Sequence, residues 1–357
     1  MENSTGDNFW VPDMPPCPSP AICIIETTII IAVTGLVMIG NVFNLIVLLS
    51  TPTLRNSHGY LLLSLSVADL MTGLVATLSI YPSATFRASP DSWPYGDTAC
   101  LISAYFHQVG IANSGITLVL LSIERYVAVV HPLRYSRVVT KRVTLICIGL
   151  VWLISIGVFS TIFAGFPEHL YFPTLYVCLP SFFSQPILAG VLLSTVVAPI
   201  PIITVTSCIV SRSLRTALQG STRDSGRGLK IKAFRMVQIM TLTLILCYVP
   251  FFVMFLVGLA ARISIPQVAV FCVYWLLLAN SFFNTLIYFK MNAAFRARLY
   301  ELVGLVASRL GITAEKSDSH SARDNLSTIA NSSKPSNGNS VATSSTSVNV
   351  QFHDSTL

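Results

Sequence analysis

Charge is what this sequence has least of. Of 357 residues, 22 are Lys or Arg and 15 are Asp or Glu, 10% together, against 53% hydrophobic. A water-soluble domain of this length carries far more ionised surface, so that class is excluded. No repeat relates the two halves of the chain, which argues against the paired repeats of secondary transporters. Intramembrane enzymes need a His/Glu metal set or a Ser/Lys pair at spanning depth, and neither is present. A basic signal-peptide start is also missing: the chain opens Met1-Glu2-Asn3-Ser4-Thr5-Gly6-Asp7, so the first apolar block is expected to act as its own insertion signal.

What is there is a succession of apolar blocks. Seven stretches, near 24–50, 59–83, 100–130, 143–165, 184–210, 236–261 and 267–289, are each long enough to cross a hydrocarbon core of about 30 Å. Lipid offers the backbone no hydrogen bonds, so such blocks should be helices. The expected fold is an all-α membrane protein. Residues 1–23 form an outer N-terminal segment and 24–290 a seven-helix bundle. Residues 291–308 form an amphipathic interfacial helix and 309–357 a disordered inner tail. The helix at 291–308 is read from Phe295, Leu299, Leu302, Val303 and Val306, which share one face with Arg296 and Arg298 among them. The tail holds 17 Ser or Thr in its last 45 residues, without periodicity.

The net charge of +7 would suit nucleic acid, but its placement points to a membrane instead. With the N-terminus outside, only Arg87 and Arg262 of the 22 basic residues fall on the outer side, while seven acids do. That is the positive-inside pattern. An inner loop expected at 211–233 carries Arg212, Arg215, Arg223, Arg227, Lys230 and Lys232 against Asp224. Asn3 heads a glycosylation sequon on the outer side.

Two cysteines fall where the oxidising outer face meets the bundle. Cys100 opens the third block and Cys178 lies in the long outer loop near 166–183, so a bridge between them is expected. Cys17 could pair with Cys23 or with Cys272. From Cys100 the third block runs 25 residues, about 37 Å of helix, to Glu124-Arg125-Tyr126 at the inner face. Across that depth His107 is the one side chain that titrates near neutral pH.

Asp69 sits mid-membrane in Leu65-Ser66-Val67-Ala68-Asp69-Leu70, where a carboxylate is costly and reads as functional. Ser114, Asn280, Ser281 and Asn284 lie at similar depth. The set offers oxygens to a small hard cation, with Asp69, Ser114, Asn280 and Asn284 as the expected sodium group. The alternative is a protonated Asp69 bonded to the asparagines. Pro250, inside the sixth block, predicts a kink. Asn284 and Tyr288 stand one turn apart near the inner end of the seventh.

Together these residues resemble the rhodopsin-like family of G-protein-coupled receptors, from about Ile24 to Leu302. The matching signs are Gly40-Asn41, Leu65 with Asp69, Trp93-Pro94-Tyr95-Gly96 before Cys100, and Glu124-Arg125-Tyr126 followed by Pro132-Leu133. Trp152, Pro199, Pro250, Asn284, Tyr288 and Phe295-Arg296 complete them. The Cys23-Ile24-Ile25-Glu26-Thr27 and Asn280-Ser281-Phe282-Phe283-Asn284 runs look like a small group of orphan receptors with high basal activity. There are departures. Tyr248 stands in place of the usual toggle tryptophan, Thr285 in place of a proline, and Ser207 in place of a tyrosine. Lys230 stands where many members carry an acid that pairs with the arginine.

The resemblance implies a receptor that passes an outer or constitutive signal to a heterotrimeric G protein. The stimulatory subtype is the expectation, with arrestin binding the phosphorylated tail. Switching and coupling would fall to Glu124, Arg125, Tyr126, Lys230, Pro250, Asn284 and Tyr288. The ligand pocket would be lined by His107, Ile111, Tyr248, Phe251, Phe252 and Tyr274. His107 stands where amine receptors place an aspartate and Leu278 where opsins place a lysine, so neither subfamily is expected. His107 reads either as a ligand contact or as a neutral ring bonded to an outer-loop carbonyl. The aromatic run Leu170-Tyr171-Phe172-Pro173-Thr174-Leu175-Tyr176 could fold into the bundle and fill part of the pocket. Ser355 and Leu357 give the tail the end that PDZ domains bind as an added strand. A seven-helix transporter or ion conductor is the rival reading. No nucleic acid, no cofactor beyond sodium and no enzymatic activity are expected.

Overall fold

The computed structural model describes residues 19–85, 93–164, 171–180, 190, 197–219, 227–261, 265–291 and 293–309. The first helix, α1 (Pro20–Ser50), starts on Ser19, whose hydroxyl caps Ile22 N–H, with Pro20 at the position where a missing N–H costs nothing. Its buried residues recur every three or four positions: Cys23, Glu26, Ile30, Thr34, Val37, Asn41, Asn44 and Leu48. Ile24, Ile31, Ile39, Val42 and Ile46 fill the other face and are exposed. A helix apolar all round, with its more polar face turned inward, is what lipid requires and water forbids.

The same construction repeats. α2 (Ser57–Thr77) is capped by Asn56, whose side chain accepts from Gly59 N–H at 2.9 Å, and a short α3 (Ile80–Ala84) continues it. Gly96, at φ 84°, turns the chain into α4 (Asp97–Val130). After α5 (Pro132–Val138) comes α6 (Lys141–Phe159), capped by Thr140. α7 (Pro199–Gln219), α8 (Arg227–Ala261, with Pro250 inside) and α9 (Gln267–Met291) follow. By length and hydropathy, five stretches among the described residues can cross a membrane: Pro20–Ser50, Ser57–Ala84, Asp97–Val130, Lys141–Phe163 and Gln267–Met291. A sixth, shorter apolar stretch is Gln238–Met254 in α8. Much of the expected fifth block falls outside the described residues.

The helices close a ring. α1 packs on α2 and α9, α9 on α8, α8 on α7 and α7 on α4; α4 packs on α2 as well, and α6 lies against α2 and α4. Gly110 lets α2 and α4 approach closely, because a Cβ there would sit 2.3 Å from Thr72 Oγ1. Between α6 and α7, β1 (Tyr171–Phe172) and β2 (Val177–Cys178) form a small antiparallel hairpin that pairs Tyr171 with Cys178. Cys178 is disulfide-bonded to Cys100, with the Cα atoms 5.4 Å apart.

Two expectations shift. The inner loop expected at 211–233 is largely helical: α7 runs on to Gln219 and α8 begins at Arg227. Arg, Leu and Ala are strong helix formers, so the helices continue past the apolar block that hydropathy detects. Cys272 is a free thiol, which excludes a Cys17–Cys272 pair, and Cys23 is disulfide-bonded. Cys17, Asn3, Ser355 and Leu357 lie outside the described residues. A separate compact unit begins at Ala294 and holds nearly all of α10 (Ala293–Arg309), where Arg298 pairs with Glu301 at 2.7 Å.

Candidate functional site

At the end of the bundle that carries the Cys100–Cys178 bridge, the hairpin is folded in among the helices. Leu175, Tyr176 and Val177 are buried with Ile30 of α1, Ala76 of α2 and Phe271, Tyr274, Trp275 and Leu278 of α9. Ile111 and Phe251, both expected pocket residues, pack against this cluster. Tyr176 adopts a left-handed conformation (φ 58°), unfavourable for a bulky side chain, and is 1% exposed. Its hydroxyl donates to Glu26 Oε2, itself buried on α1, at 2.8 Å. Burial, and then the neighbouring carboxylate, raise the pKa of the Tyr176 hydroxyl, so it remains a donor.

His107 is fully buried, and its Nε2 lies 2.7 Å from the Tyr274 hydroxyl, so two expected pocket residues meet. The partner is a side chain of α9, and among the described residues no loop carbonyl bonds His107. Among the described residues, Nδ1 of His107 has no hydrogen-bond partner. Tyr248 is buried on α8 and Phe252 half-buried.

Midway, Asp69 is fully buried and its Oδ1 accepts from both Ser114 and Ser281 at 2.8 Å. Asp69 Oδ2 and the Nδ2 groups of Asn280 and Asn284 are buried without a close hydrogen bond among the described residues. Ser281 therefore holds the place beside the carboxylate that was expected of Asn280. The departures from the resemblance find partners nearby. Thr285 accepts from Asn44 Nδ2 at 2.8 Å, tying α9 to α1, and Ser207 accepts from Thr241 at 2.6 Å, tying α7 to α8. Trp152 Nε1 donates to Ser64 at 3.0 Å.

At the end of α4 opposite Cys100, Arg125 Nη2 lies 2.6 Å from His58 Nε2, and its Nε 3.5 Å from Glu124 Oε2. Glu124 is buried, accepts from the Tyr135 hydroxyl of α5 at 2.6 Å, and lies 3.1 Å from His58 Nδ1. Burial, then Glu124, raise the pKa of Tyr135, which keeps its proton for that bond. Tyr288 comes within 3.1 Å of His58 Nε2 from α9, and Tyr126 reaches His131 at 3.4 Å. A small cavity of about 50 Å³ opens beside Arg125, Ser207, Thr241, Asn284 and Tyr288. Lys230 lies in α8, with its side chain outside the described residues.

A ring of helices with an arginine held at one end and a disulfide-tethered hairpin seated in the other matches the model of the 7 transmembrane receptor (rhodopsin family) over residues 40–288. The chain belongs to the rhodopsin family of receptors. It is similar to G-protein coupled receptor 52 of Bos taurus, 26% identical over 79% of this chain and 81% of the relative. It is also similar to Probable G-protein coupled receptor 21 of Mus musculus, 26% identical over 84% and 89%. The Allatostatin-A receptor of Bombyx mori is 27% identical over 74% and 75%. The receptor is a multi-pass membrane protein of the G-protein-coupled class, and family membership makes it a receptor rather than an enzyme or a transporter. At such even identities, relatives named for a ligand and relatives named for none stand side by side, so the family follows from the comparisons and the ligand does not.

Sequence reasoning missed three participants. Ser281 was weighed but not placed in the sodium group. His58 and Glu26 were not singled out, although a histidine two residues past a helix cap and a carboxylate inside an apolar block were both signals available in the sequence.

Proposed function

We propose that this receptor stands in the plasma membrane with its N-terminus outside and signals to a stimulatory heterotrimeric G protein without added ligand. One observation carries the reading: Leu175, Tyr176 and Val177 occupy the outer core among the expected pocket residues, with Tyr176 1% exposed and bonded to Glu26. A segment tethered by the Cys100–Cys178 bridge is present at high effective concentration and needs no diffusional encounter. The test is cyclic-nucleotide output in cells expressing the chain against empty vector, with Tyr176→Ala at matched surface level. Output well above vector, falling several-fold in Tyr176→Ala, is expected. Output equal to vector overturns the reading.

A sodium ion fits the polar centre as an inhibitory ligand. Asp69 supplies a carboxylate oxygen that accepts no close hydrogen bond among the described residues, Ser114 and Ser281 supply hydroxyl oxygens beside it, and Asn284 is its neighbour, a donor set that a small hard cation takes. Bound there, the ion would supply a positive charge that holds α2, α4 and α9 together. The Ser- and Thr-rich tail is proposed to bind arrestin once phosphorylated, and Ser355 with Leu357 to dock on a PDZ domain. α10 is proposed to lie on the inner membrane surface, as its apolar face and its arginines suggest.

A further inference from the structure

The inner ends of α2, α4 and α9 meet at a histidine that no motif of the sequence uses. Arginine has donors only, so the His58 Nε2 that lies 2.6 Å from Arg125 Nη2 must carry a lone pair. The Tyr288 hydroxyl, 3.1 Å away, is a second donor to the same nitrogen. His58 Nδ1, 3.1 Å from Glu124 Oε2, must then hold the proton and donate it. A single neutral tautomer accounts for all three contacts, with the one lone pair of Nε2 shared between a close Arg125 and a more distant Tyr288. The arrangement is built rather than incidental: Glu124 is 4% exposed and fixed from its other oxygen by Tyr135, so the imidazole is oriented by α4 and orients Arg125 in turn.

We propose that His58 is the latch of the resting receptor, a positioning residue that holds the Arg125 guanidinium against α2 and α9. A G protein that engages Arg125 must first break this contact. The restraint that many relatives take from an acid on α8 is here supplied from α2 by a neutral acceptor, which fits a chain whose α8 carries Lys230 near its start. The proposal rests on Arg125 being a coupling residue.

The experiment measures ligand-free nucleotide exchange on a purified G protein by membranes that hold wild-type receptor or single variants at matched amounts. His58→Phe keeps the ring and removes both nitrogens, and should raise exchange about fivefold, which corresponds to about 1 kcal/mol. His58→Gln keeps an acceptor and a donor and should stay within about twofold of wild type, an order-of-magnitude bound for a retained hydrogen bond. Exchange unchanged in His58→Phe, or raised equally in both variants, overturns the latch, because shape alone would then account for the site. Nitrogen NMR of isotopically labelled histidine in the wild-type receptor gives an independent check. The Nδ1–H tautomer at His58 is expected, and an Nε2–H tautomer or an imidazolium overturns the proposal. Arg125→Ala separates the two layers. If it leaves exchange intact, the coupling reading fails and the latch with it; if it silences exchange while His58→Phe does nothing, only the latch fails.

Discussion

At Asp69 the two carboxylate oxygens live differently: Oδ1 accepts two serine hydroxyls, while Oδ2 accepts no close hydrogen bond among the described residues, though both are buried. A buried acceptor left unpaired costs about 1–3 kcal/mol, which a cation at Oδ2 would offset. Replacing an inert cation by sodium should therefore lower basal signalling, and Asp69→Asn should remove that dependence. Equal output in both salts would favour a protonated Asp69 instead. This residue was legible in the sequence because a mid-membrane carboxylate has so few explanations. Its partner Ser281 was harder to assign, since Asn280 is its immediate neighbour and a turn of about 100° decides which of the two faces α2. His58 was not legible for a related reason. Its partners lie 66, 67 and 230 residues away, and only the ring closure of the helices brings them together.

Among the elements, the hairpin carries more consequence than its four strand residues suggest. Two strand residues on each side cannot hold a fold alone, so its position depends on the Cys100–Cys178 bridge and on Tyr176. A bridge of this kind contributes about 2–4 kcal/mol. Cys178→Ser should lower the thermal midpoint of the detergent-solubilised receptor and bring ligand-free signalling down toward that of Tyr176→Ala. A variant that melts earlier but signals as before would separate the bridge from the activity. The bridge was readable from two cysteines on one oxidising face. That the loop between the strands would enter the bundle was only suggested by its aromatic content, because burial of a loop depends on a cavity no single segment encodes. Helix ends were the least legible feature. α7 and α8 extend into water on helix propensity, where hydropathy falls silent.

Across the whole molecule, the balance at Arg125 is expected to depend on one restraint that is present, from α2, and one that many relatives have and α8 lacks. α2 offers His58 at 2.6 Å, while α8 begins with Arg227 and Lys230 and offers no acid within its first 35 residues. In relatives where an acid holds the arginine, an exposed ion pair of that kind is worth only about 0–1 kcal/mol. Exchanging attraction for repulsion of similar size amounts to up to about 2 kcal/mol, which shifts a two-state equilibrium by up to about thirtyfold toward the open form, at about 1.4 kcal/mol per factor of ten. The His58 contact opposes that shift, so the net gain in basal activity should be smaller than about thirtyfold and still visible above vector. Lys230→Glu restores an acid at the foot of α8 and adds a second hold on Arg125. It should lower ligand-free signalling several-fold at matched surface level, and by more in a His58→Phe background, where no competing hold remains. A Lys230→Glu receptor that signals like wild type in both backgrounds would mean that α8 does not restrain Arg125 at all.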